Sequence, residues 1–135
     1  MENIAAPIHV RASHKMKALV VDDSEGIRES LSVLLKRRGI QPVQAGNAGA
    51  AKERFLEEDF DLIVTDLDMP GTNGLELIRW VRTRRPFLPV IIVSGKPPGD
   101  MESVEALPAT NFAREPFGVK NVDAALWAIL RQFCG

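Results

Sequence analysis

Lys17-Ala18-Leu19-Val20-Val21-Asp22-Asp23 is the stretch that decides the fold, an apolar run that stops abruptly on two adjacent acids. A second run, Leu62-Ile63-Val64-Thr65, stops on Asp66 in the same way. Short apolar segments without polar alternation predict strands buried on both faces, as in a parallel sheet. If the two strands are parallel neighbours, their carboxyl ends gather three carboxylates in the crevice where open α/β sheets bind ligands. Each added like charge makes ionisation of the others costlier. A hard, oxygen-seeking cation such as Mg²⁺ removes that cost and keeps coordination sites open for phosphate oxygens.

Outward from these runs, apolar and amphipathic stretches alternate, which predicts βα repeats. Ser24 is placed to cap a helix with Ile27, Leu31, Leu34 and Leu35 on one face, Lys36, Arg37 and Arg38 in its last turn and Gly39 beyond. Gln41 to Ala45 reads as a second strand, and Asn47 as the cap of a helix that turns Ala51 and Phe55 inward. After the third strand, Leu62 to Asp66, the turn Met69-Pro70-Gly71-Thr72-Asn73-Gly74 leads into a helix with Leu75, Ile78 and Val81 on one side. Pro89 to Val93 is the fourth strand, ending at Ser94. Pro97-Pro98-Gly99 and Pro108 limit the next helix to about two turns from Asp100. Asn111 to Arg114 is the fifth strand. After Pro116-Phe117-Gly118 a last helix carries Val122, Leu126, Ile129, Leu130 and Phe133 on one stripe.

A chain of 135 residues, 45% hydrophobic, suffices for one core. Its 17 basic and 18 acidic residues leave a net charge of −1, so no electrostatic footprint for nucleic acid or an anionic membrane is expected. Cys134, the lone cysteine, has no partner for an internal disulfide, and a reducing compartment follows. Residues 1–15 read as a flexible N-terminal tail without a secretory core, residues 16–135 as a single domain, and the whole as a cytoplasmic protein.

Asp66 precedes a proline-and-glycine turn, so its carboxylate is expected to be open at the strand end. Beside a cation held by Asp22, Asp23 and Asp66, such a carboxylate can attack phosphorus, and Ser94 on the adjacent strand can donate a hydrogen bond to the product phosphate. Bland readings exist for each residue alone. Asp22-Asp23 can be a helix cap, Asp66 and Ser94 can be turn formers, and Phe112 can be core filling. His9 and His14 read as tail residues, and Trp127, off the last helix's stripe, as a surface aromatic.

Val20-Val21-Asp22-Asp23, Asp66-Leu67-Asp68-Met69-Pro70-Gly71-Thr72-Asn73-Gly74, Val93-Ser94-Gly95 and Pro116-Phe117 together resemble the CheY-like receiver domain of two-component response regulators, over roughly residues 16 to 133. The resemblance implies a flavodoxin-like fold with strand order 2-1-3-4-5. It implies that Asp66 accepts a phosphoryl group from a histidine kinase or a histidine phosphotransfer protein. It further implies that Asp22, Asp23, Asp66 and the backbone carbonyl of Asp68 hold magnesium, that Ser94 is the hydroxyl turning toward phosphate, and that Phe112 is the aromatic switch. Asp68 and Lys96 match positions that influence phosphoryl lifetime in the family.

One position departs from the family pattern. Where a phosphate-pairing lysine precedes the last proline, this chain has Glu115. An ionised Glu at about 4 Å repels each unit of phosphoryl charge by ~4 kcal/mol at an effective dielectric of 20, before screening. Arg114 can replace the lysine, Glu115 can turn away or join the metal, or phosphotransfer can be lost. Strand alternation disfavours the first. The expectation is a stand-alone phosphoacceptor switch rather than an enzyme, whose signal leaves through protein contacts, with an unknown downstream partner. The face of the short fourth helix, fifth strand and last helix is the expected place for repacking or homodimer formation. Two alternatives stand beside it: a pseudo-receiver that binds partners without cycling phosphate, and a haloacid-dehalogenase-type phosphatase built on Asp66-Leu67-Asp68.

Overall fold

A computed structural model describes residues 15–69, 72–94 and 110–114. Five strands form one parallel sheet: β1 (Lys17–Val21), β2 (Gln41–Ala45), β3 (Leu62–Asp66), β4 (Val90–Ser94) and β5 (Thr110–Arg114). Their order is β2-β1-β3-β4-β5, the flavodoxin-like order that the family resemblance implies. The chain reverses direction across the sheet between β1 and β3, so the switch point falls at the ends of the two strands that carry the acids.

Strand parity explains the two-sided core. Ala18, Val20, Leu62, Val64, Ile91 and Val93 pack with Leu31 and Leu35 of helix α1 (Glu25–Arg37). Leu19, Val21, Ile63, Val90 and Ile92 pack on the other face with Ala48 and Ala51 of α2 (Ala48–Glu57) and with Leu75, Leu77, Ile78 and Val81 of α3 (Gly74–Arg84). All four interior residues of β1, Ala18 to Val21, are sealed from solvent, which is why no polar alternation occurs there. Burial of Leu19, Val20 and Val21 contributes roughly 1.5–3 kcal/mol each.

The ends of the helices follow local chemistry. Ser24 Oγ accepts from the Ile27 amide at 3.3 Å, and Asn47 Oδ1 accepts from the Ala50 amide at 2.8 Å, as their cap positions predict. Gly39 leaves α1 at φ +77. Its amide donates to Lys36 O and the Ile40 amide to Leu35 O, a Schellman closure in which Ile40 is itself buried beside Leu35. β4 begins at Val90 rather than Pro89, since proline brings no amide to the ladder. The predicted turn after β3 contains a two-residue antiparallel ribbon, Asp68–Met69 against Thr72–Asn73. No helix among the described residues is long and apolar enough to cross a membrane.

Several expectations lie outside the described residues: the tail over 1–14, the short helix after Asp100, the last helix, and Gly95, Lys96, Glu115, Trp127 and Cys134.

Candidate functional site

β1 and β3 are paired in register from Ala18 opposite Leu62 to Val21 opposite Thr65, so the residues that follow them emerge side by side. Oxygens of Asp22, Asp23 and Asp66 come within 4.8 Å of one another. The three acids predicted from the strand ends are therefore one cluster. Their environments differ: Asp22 is buried, Asp66 half-buried and Asp23 exposed.

Asp22 is held on three sides. Its amide donates to Ala45 O at 3.2 Å, its Oδ1 accepts from the Ser24 amide at 2.8 Å, and its carbonyl accepts from Arg28 Nη1 at 2.7 Å. Burial pushes its carboxyl above the ordinary carboxylate value, and the neighbouring charge of Asp23 pushes the same way. The Ser24 amide and the Arg28 charge oppose both. An oxygen-only donor set, one member already costly to ionise, fits a hard divalent cation that keeps several of its waters.

Asp66 sits on the last residue of β3, and the Thr65 hydroxyl donates to its carbonyl at 3.0 Å. Gly74, the first residue of α3, lies directly under it. A Cβ at Gly74 would overlap the Asp66 carbonyl oxygen and lie 2.7 Å from Leu67 Cα, and the Gly74 amide donates to Leu67 O at 3.0 Å. The glycine is therefore a seat for the acid-bearing strand end. Ser94 ends β4 one residue beyond Val93, the register partner of Asp66, and Phe112 lies opposite Ile92 in β5.

Motif reading includes Gly74 only as a turn residue and passes over Arg28. Gly74 is hidden among turn residues. Arg28 leaves a signal, because a cation in the first turns of a helix opposes the macrodipole and so points to some other partner.

The family model of the response regulator receiver domain matches residues 18–124. The chain belongs to this receiver family. Receivers are signalling domains, not catalytic enzymes, so the phosphatase alternative is set aside.

Transcriptional regulatory protein FixJ of Azorhizobium caulinodans is 38% identical over 119 residues, covering 86% of this chain and 54% of that protein. The chain spans between about a fifth and about half of the length of the curated relatives it matches. Among solved structures, chemotaxis protein CheY4 of Vibrio cholerae superposes with a TM-score of 0.77 at 26% identity, covering 84% of this chain and 98% of that one. Response regulator TrrA of Thermotoga maritima, solved in complex with Mg(2+)-BeF, gives 0.75 at 25% identity, with 84% and 98% covered. Receiver domains bind Mg²⁺ at an acidic pocket, and the described residues contain such an acidic cluster.

Proposed function

We propose that this receiver accepts a phosphoryl group on Asp66 from the phosphohistidine of a histidine kinase or phosphotransfer protein, and signals through protein contacts. The observation that carries the reading is the convergence of Asp22, Asp23 and Asp66 at the β1 and β3 ends. Asp22, Asp23 and Asp66, with the Asp68 carbonyl, are the groups that would hold Mg²⁺. When bound, the ion neutralises charge on the phosphoryl oxygens during in-line displacement. An Asp66 carboxylate oxygen bonds to phosphorus as the P–N bond to imidazole breaks, and the electron pair returns to the ring nitrogen. Buried Asp22, anchored through its amide and carbonyl, orients the pair of acids, and exposed Asp23 faces the incoming group. Ser94, at the end of the neighbouring strand, is proposed to meet the product phosphate, and Phe112 to relay the change toward the β5 edge.

Incubation with Mg²⁺ and acetyl phosphate, followed by intact mass, tests the reading. One persistent phosphoryl adduct, lost in Asp66→Asn, is expected. Its absence from the wild type favours the second reading, a pseudo-receiver acting as a binding module. Glu115 is the observation behind that alternative, because it brings negative charge to the place of the phosphate-pairing lysine. Glu115→Lys is expected to tighten beryllofluoride binding about tenfold, ~1.4 kcal/mol after screening. Equal affinity and equal conformational response in the two proteins would discard an inhibitory role for Glu115.

A further inference from the structure

Arg28 is a cation bonded to the acidic turn, and among the described residues its side chain donates to a backbone carbonyl and an amide oxygen rather than to a carboxylate. Its Nη1 donates to the backbone carbonyl of Asp22 at 2.7 Å, while its Nε donates to Gln44 Oε1 at 3.1 Å. Gln44 in turn donates through Nε2 to Ser32 Oγ at 3.2 Å, and Ser32, which is buried, donates to the Arg28 carbonyl at 2.7 Å. Arg28, Gln44 and Ser32 close a loop of hydrogen bonds between α1 and β2, and Arg28 ties that loop to the β1 end through the Asp22 carbonyl.

A guanidinium is suited to this task. Its planar fork bonds two acceptors in fixed directions, whereas a lysine ammonium offers one mobile charge. With the Asp22 amide tied to Ala45 O, the Arg28 bond fixes the other side of the same residue, so the Asp22-Asp23 backbone is restrained against both neighbours. Crowding of like charges drives such a turn apart when no cation is bound. A restraint that keeps the turn in its binding geometry lowers the reorganisation that metal binding must overcome.

We propose that Arg28, oriented by Gln44 and Ser32, is a positioning residue that preorganises the Asp22-Asp23 turn for a divalent cation. The inference rests on the metal-dependent reading of the acidic cluster. It makes Gln44, one strand away from the acids, part of the determinants of metal affinity.

Charge and geometry make opposite predictions, which gives the test its power. A bystander cation only repels Mg²⁺, so Arg28→Met would tighten binding, Arg28→Lys would match the wild type, and Gln44→Leu would change nothing. A positioning residue gives the reverse. Arg28→Met is expected to weaken Mg²⁺ about tenfold, and Gln44→Leu, with the charge intact, to weaken it severalfold. Arg28→Lys is expected to recover part of the loss, and the double variant to be no worse than Arg28→Met alone, as coupled groups require.

Affinity is read by titrating Mg²⁺ against the amide resonances of Asp23 and Ser24, with circular dichroism reporting folding of each variant. Tighter or unchanged binding in Arg28→Met, or additive losses in the double variant, overturns the proposal. Wild-type protein that binds no Mg²⁺ overturns the metal-dependent reading itself, and the inference with it. If Arg28→Met does not fold, Gln44→Leu decides alone: wild-type affinity there refutes positioning, and weakened affinity supports it.

Discussion

Gly74→Ala tests how the strand end that carries Asp66 is held. The Cβ of alanine would overlap the Asp66 carbonyl oxygen, lie 2.7 Å from Leu67 Cα and 3.1 Å from the Asp66 carbonyl carbon, where 3.4 Å begins ordinary contact. All three are backbone atoms, so no side chain can rotate to make room. Either α3 retreats from the sheet or the Asp66-Leu67 peptide moves, by about 1 Å in both cases.

The opposing local effect is the helix preference of alanine over glycine, at most ~1 kcal/mol and less at a first helical position. Overpacking of a rigid contact costs ~1–3 kcal/mol or more. The clash therefore wins, with a net loss of ~1–2 kcal/mol and a fall in Tm of about 4–8 °C. Movement of Asp66 by this distance also disrupts the three-carboxylate geometry, so Mg²⁺ affinity should fall at least tenfold in the folded fraction. Thermal unfolding and Mg²⁺ titration of the same samples measure both effects. A variant as stable as wild type with unchanged affinity would refute the view that α3 seats the strand end through Gly74.

Two further perturbations separate the cost of the site from the strength of the fold. Asp22→Asn keeps an Oδ1 acceptor for the Ser24 amide and removes a charge whose ionisation is opposed by burial first and by Asp23 second. Because the folded pKa is raised, stability from the protonated form is present below the unfolded value and lost as pH rises through the folded one. In Mg²⁺-free buffer at pH 7 the variant should therefore melt higher, by about 4 °C for each ~1 kcal/mol relieved, and the gap should close as pH falls. Saturating Mg²⁺ should reverse the order, since wild type gains about 2.7 kcal/mol at 100 times its Kd; equal melting curves at pH 7 without metal would count against the electrostatic cost. Asp61→Ala removes the acceptor of the Lys17 amide, 2.8 Å away at the start of β1, and should cost ~1–3 kcal/mol in urea unfolding, with Asp61→Asn recovering most of it.

The acids of the site were legible because a doubly covered strand admits no charged residue along its interior, so the acids fall at its carboxyl end, Asp66 as the last residue of β3 and Asp22 just after β1. Asp22 and Asp66 are the first acids after unbroken burial, so the end of apolar character marks the carboxyl edge of each strand as well as the site. The caps were legible for a similar reason: Ser24 and Asn47 satisfy amides three residues away, and local sequence contains both partners. The inward faces of the helices also followed from their period, though Ser32 of α1, Ala48 of α2 and Leu77 of α3, off the predicted stripes, are buried as well. A helix covering a twisted sheet is enclosed over more than a narrow seam.

The supporting residues escaped because their partners are distant or their local chemistry is ordinary. Gly74 stands after Pro70, Gly71 and Asn73, which already account for a turn, so nothing nearby reveals that a backbone from β3 occupies the space of its missing side chain. Arg28 reads as a solvent-facing helical residue until Gln44 is brought beside it by the β1–β2 pairing. Only its conflict with the helix dipole distinguishes it in isolation. Acids at a sheet's edge interrupt a periodic pattern, while the groups that aim them conform to local propensity and acquire their role only when distant strands pair. Preorganisation of this site is therefore a tertiary property, and perturbing β2 at Gln44 should reach the metal-binding turn without altering any of its carboxylates.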